Sequence, residues 1–150
     1  MQFQRSFGKL SLLAAIVLTS CSTSQENNYS AIDSEILEIH DEVMPKLEDI
    51  NQYSEEIRSK INQLDSLQQE GVSSSTFAEQ RLRATDILKK LQVADSLMWD
   101  WMRNYEADSA KALPKEEDIV RYFENEKAKI LDVKEKTESS LLEAQEFLKD

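Results

Sequence analysis

SAIDSEILEIHDEVMPKLEDINQYSEEIRSKINQLDSLQQEG, residues 30–71, is the stretch that decides the fold. Within it Ile32, Ile36, Ile39, Val43, Leu47, Ile50, Ile57, Ile61 and Leu64 recur at steps of three, four and seven. Such steps lay one apolar stripe along a helix of 3.6 residues per turn, and they leave Glu38, Glu42, Lys46, Glu56 and Lys60 off the stripe. Ser30 followed by Asp33 offers an N-cap with an acid in the first turn, and Gly71 offers the stop. Pro45 lies nearly opposite the stripe, so the expectation is a bend with its ring toward solvent rather than a break.

Two more stripes follow. Ser73 to Thr76 reads as a turn, and Thr76 with Glu79 has capping-box spacing. Ala84, Ile87, Leu88, Leu91, Ala94, Met98, Trp101, Met102 and Tyr105 then form the second stripe. A loop from Glu106 to Leu113 leads to Pro114, expected as the first helical residue, with Glu116, Glu117 and Asp118 at the positive end of the helix dipole. Ile119, Phe123, Ile130, Val133, Thr137, Leu141, Ala144 and Leu148 form the third stripe. The chain has two glycines, Gly8 and Gly71, and two prolines, too few turn residues for a sandwich or a barrel. The expected fold is therefore all-α: an antiparallel three-helix bundle with long helices, occupying residues 31–150. The alternative is a coiled-coil hairpin that buries the same stripes by forming a homo-dimer.

The start of the chain has a different character. Arg5 and Lys9 precede an apolar run from Leu10 to Leu18 broken only by Ser11. That run suits the core of a signal peptide and falls well short of the ~20 residues a membrane-spanning helix needs. It ends in Leu18-Thr19-Ser20-Cys21, the pattern of a lipobox. Residues 1–20 are accordingly expected to be a lipoprotein signal peptide. Cys21 becomes the lipidated first residue of the mature chain, carrying palmitate-type acyl chains as its membrane anchor. Each buried methylene contributes ~0.8 kcal/mol to such an anchor. Residues 21–30 are polar and aperiodic and read as a flexible tether. Ser22, rather than an aspartate, after the cysteine favours the outer membrane of the cell envelope, by analogy with Gram-negative lipoprotein sorting.

Composition narrows the function. The whole chain carries a formal charge of −11. Loss of residues 1–20 removes two cations and no acid, leaving 16 Lys and Arg against 29 Asp and Glu, or −13. So acidic a surface argues against nucleic acid as a partner. Cys21 is the single cysteine, which excludes a disulfide within the chain. There is one histidine, and no nucleotide loop, nucleophile elbow, EF-hand or HExxH motif is present. Enzymatic activity is not expected, and neither is a resident cofactor. Acidic pairs such as Asp41-Glu42, Glu55-Glu56 and Glu116-Glu117 read as solvated helix faces.

One end of the bundle is unusual in residue type. Folding the first two helices about residue 73 or 74 sets position 44 opposite about 103 and position 40 opposite about 107. His40, Met44, Met98, Trp99, Trp101 and Met102 then converge at the tether-proximal end, joined by Ile119, Tyr122 and Phe123. The commoner meaning of such a group is an aromatic–methionine core cluster with a boundary histidine. The rival is a metal or haem site, because imidazole and thioether donors suit Cu(I) or haem iron. Trp99 lies about 100° from the stripe centre, where it is a candidate contact for an apolar ligand or for a partner helix, such as one of another envelope protein.

HDEVMPK at 40–46 and MWDWM at 98–102 resemble a group of small Bacteroidetes lipoproteins often labelled "viral A-type inclusion protein". The function of that group is not established. Leu47 stands where a second methionine is common among them. The resemblance implies an envelope location, an all-helical fold and some importance for the His/Met/Trp end.

Overall fold

The computed structural model describes residues 28–71 and 75–149. Among these described residues five helices follow in order: α1 Asn28–Val43, α2 Lys46–Gln69, α3 Ser75–Asn104, α4 Ala107–Lys111 and α5 Glu116–Lys149. No strand occurs among the described residues, and no helix there is long and apolar enough to cross a membrane. The expected signal segment, Cys21 and most of the tether lie outside the described residues.

The chain folds as an all-α helical bundle with three long arms: α1 with α2, then α3, then α5. Each stripe supplies its part of one core, with Ile36, Val43, Ile57, Leu91, Met98, Phe123 and Ile130 all sealed from solvent. The third arm covers the seam that the hairpin alternative would have exposed for a second copy.

Ion pairs fix the directions of the arms. Glu42 meets Lys134 and Lys46 meets Glu138, each at 2.6 Å, and Glu35 meets Lys127 one heptad earlier. In all three pairs the partners are 92 residues apart. A constant difference in residue number means that the first arm and α5 run parallel. The central arm, α3, runs against both, tied by Arg81 to Asp65 at 2.6 Å and by Lys90 to Glu143 at 2.7 Å. The hydrogen bond from Lys134 pulls the Glu42 carboxyl below its ordinary pKa, and Glu138 raises that of Lys46.

Several boundaries differ from expectation. The first helix is two: Met44 and Pro45 form a turn between α1 and α2, with Leu47 N–H donating to the Met44 carbonyl and Glu48 N–H to that of Pro45, both at 3.2 Å. Pro45 keeps helical angles (φ −62°, ψ −28°) and its ring is exposed as expected. Its missing N–H and its ring's clash with the preceding turn nevertheless replace the α pattern with i→i+3 bonds. At the N-terminus α1 begins at Asn28, so Ser30 lies inside the helix rather than capping it. Tyr29 explains the extension, since its ring stacks on Phe123 at 5.8 Å. Thr76 also lies inside its helix, because α3 opens one residue earlier at Ser75. Pro114 precedes α5 by two residues. Lys115 is the effective cap, its carbonyl accepting from Asp118 N–H at 3.1 Å and Ile119 N–H at 3.3 Å. The loop before it holds the short helix α4, which buries Ala110 against the core.

Candidate functional site

The tether-proximal end is built by α1, the last turn of α3, α4 and the first turns of α5. The backbone of α3 runs close against α2 and α5 but stays farther from α1. Large side chains fill that wider gap. Trp101 stacks on Tyr105 at 4.8 Å, and Tyr105 on Tyr122 at 6.5 Å. Tyr122 meets Phe123 edge-on at 5.3 Å. His40 lies 5.7 Å from the Trp101 ring, and its Nε2 is 3.3 Å from the Met102 Sδ.

The expected convergence occurs with a shifted register. His40 meets residues 101 and 102 rather than about 107. The turn at Met44-Pro45 and the wider α1–α3 spacing offset the count made from the distal turn. Met98 is fully buried, Trp101 retains 7% exposure, and Met44 and Met102 pack partly buried against the same core. Trp99 does not join them. It points outward at 47% exposure, its Nε1–H donating to Asp95 Oδ1 at 3.2 Å. Cys21 lies outside the described residues.

Polar groups inside this end escaped the pattern of apolar residues. Asp33 accepts the Tyr105 hydroxyl and pairs with Lys111 at 2.7 Å. Burial first, and then the Asp33 carboxylate, pushes the Tyr105 hydroxyl well above its ordinary pKa, while Asp33 also raises that of Lys111. The Tyr122 hydroxyl accepts Glu106 N–H at 2.7 Å and so ties α4's entry to α5. Glu126 is buried with Lys129 on its carboxylate at 2.6 Å. Both line a groove of ≈ 230 Å³ between α3 and α5, together with Leu97, Trp101 and Val133. Trp101 Nε1 is buried with no acceptor among the described residues.

Among the described residues no three of His, Cys, Asp and Glu gather as a metal-holding group. Family models, curated proteins and solved structures were all compared with the chain, and none matches it.

Proposed function

We propose that this chain is a lipid-anchored envelope lipoprotein whose acidic bundle works without enzymatic chemistry, by contacting another envelope protein. The observation that carries the reading is Trp99. A tryptophan left 47% exposed, within one helical turn of the buried Met98 and Trp101, is large apolar area held on a rigid helix. Aromatic side chains of this kind anchor protein contacts because they offer much surface for little conformational entropy. The lipobox at residues 18–21 supports the location, since it precedes the first described residue, Asn28, by a few polar residues. The −13 charge of the mature chain suits a partner with a basic face and keeps the bundle off anionic headgroups.

A photo-crosslinking residue at position 99, in the chain expressed in its native envelope, tests the reading. The expected result is one discrete adduct from position 99 and none from position 82, where Leu82 is 73% exposed at the far end. Equal labelling from both positions would refute a specific contact. Metabolic lipid labelling tests the anchor separately: Cys21→Ala should abolish the label and leave an uncleaved precursor.

A further inference from the structure

His40 has two side-chain partners, and both can only accept. Its Nδ1 lies 3.0 Å from Asp41 Oδ1, and its Nε2 lies 3.3 Å from the Met102 sulfur. A neutral imidazole carries one N–H, and a thioether or an ionised carboxylate carries none. Whichever nitrogen holds that hydrogen, the other contact sets one lone pair against another. A cation on the His40–Met102 side removes the conflict: Nδ1–H then donates to Asp41, and the Nε2 lone pair and the sulfur turn to the same ion.

We propose that His40 and Met102, with Met44 beside them, bind one soft monovalent cation of the Cu(I) class. The distance fits. With metal–nitrogen and metal–sulfur bonds of about 2.0 and 2.3 Å, donors 3.3 Å apart subtend about 100° at one ion, an angle open to trigonal and tetrahedral soft sites. Donor type gives the selectivity, since thioether with imidazole favours Cu(I) over harder dications. Asp41 takes the role of the carboxylate that orients a ligating imidazole from behind. Met44 stays on the His40 face, because its N–H donates to the His40 carbonyl at 2.9 Å and so preserves one helical turn. The Trp101 ring, 5.7 Å from His40, presents a π system to the same region. Haem is disfavoured, because Met98 and Trp101 already fill the interior that a macrocycle would need. This site is independent of the partner contact at Trp99.

The test uses the full chain in detergent, with Cys21→Ser in every arm so that no thiol takes the metal. Cu(I) is titrated against a chromophoric Cu(I) chelator, and Ag(I) serves as a redox-inert surrogate for NMR of the methionine methyl groups. One equivalent of Cu(I) should bind, with Met102 and Met44 methyl shifts on adding Ag(I) and no competition from Zn(II). His40→Gln and Met102→Leu should each weaken binding at least ~10-fold, and Asp41→Asn about 10–100-fold, as loss of an orienting partner does. Met102→Leu conserves volume and keeps the fold, so its result does not depend on the stability of the histidine variant. If no Cu(I) is retained against the chelator, the proposal fails. Retention undiminished in Met102→Leu would overturn it as well.

Discussion

Where α2 leads towards α3 the core is mostly aliphatic and its charged neighbours stay outside: Ile57, Ala84, Ile87, Ala144 and Phe147 are buried while Lys60 and Arg83 cover the Phe147 ring. At the opposite end the helices close over Trp101, Tyr105, Tyr122, His40 and Met102, and polar atoms lie within the packing. The same helical arithmetic produces both ends. Only the second places titratable and sulfur-bearing groups where a partner must be found for each. Apolar burial needs volume alone, whereas each buried polar atom also needs a correctly placed neighbour.

The largest effect should come from making the aliphatic end resemble the other. Ile57→Asp puts a carboxylate at a position sealed from solvent, and urea unfolding should show a loss of roughly 4 kcal/mol or more. A loss below about 1 kcal/mol would mean that the aliphatic end admits water freely. Trp101→Ala empties the aromatic end and should cost ~3–5 kcal/mol by the same measurement. A much smaller penalty would show that the neighbouring rings collapse into the space.

Tyr105→Phe probes the polar side of the comparison. It keeps the ring and removes the hydroxyl that Asp33 accepts, so a loss of ~1–3 kcal/mol at neutral pH is expected. Its pH dependence is more diagnostic. The folded hydroxyl titrates above the unfolded value of ~10, so the unfolded chain releases that proton first. The stability linked to it is complete below about pH 10 and declines above. Lys46, Lys90 and Lys111 are shifted in the same direction by their carboxylate partners and add to the decline. Tyr105→Phe should therefore unfold with a shallower alkaline slope than the parent, and an identical slope would show that the fold does not hold the Tyr105 hydroxyl above its ordinary pKa. The smallest effect belongs to Trp99→Ala, within ~0.5 kcal/mol on stability, although this is the surface proposed for the partner contact.

Periodicity made the aliphatic end almost fully legible, because burial there follows from spacing. Even so, the gap of seven between Ile50 and Ile57 concealed the buried Ser54, just as the gap between Phe123 and Ile130 concealed the buried Glu126 at the aromatic end. The spacing flagged those positions; their polar identity masked them. Phe147 was hidden in another way, by the choice of its neighbour Leu148 for the stripe, whereas both pack on the core. At the aromatic end the residue types announced a cluster, but not its bonds. Nothing in the sequence separation of Asp33, Tyr105 and Lys111 marks them as one network, since α4 must form before Lys111 can reach across. The spacing of Ala107 and Ala110 was the faint sign of that helix. The place of His40 beside Met102 rather than one turn further on depended on the turn at Pro45, which local propensity marks without fixing its geometry.

The parallel pairing of the first arm with α5 has a consequence for how the molecule is made. Glu35, Glu42 and Lys46 wait for partners 92 residues downstream. A ribosome delivers the chain from its N-terminus, so the apolar face of α1 emerges while the helix that covers it has not yet been synthesised. The hairpin of α2 and α3 can close early across a short turn, but the final seam is a long-range closure with a correspondingly larger entropic cost. For that interval Ile36, Ile39 and Val43 form an uncovered strip, and the nascent protein depends on whatever shields it until residues 127–138 arrive.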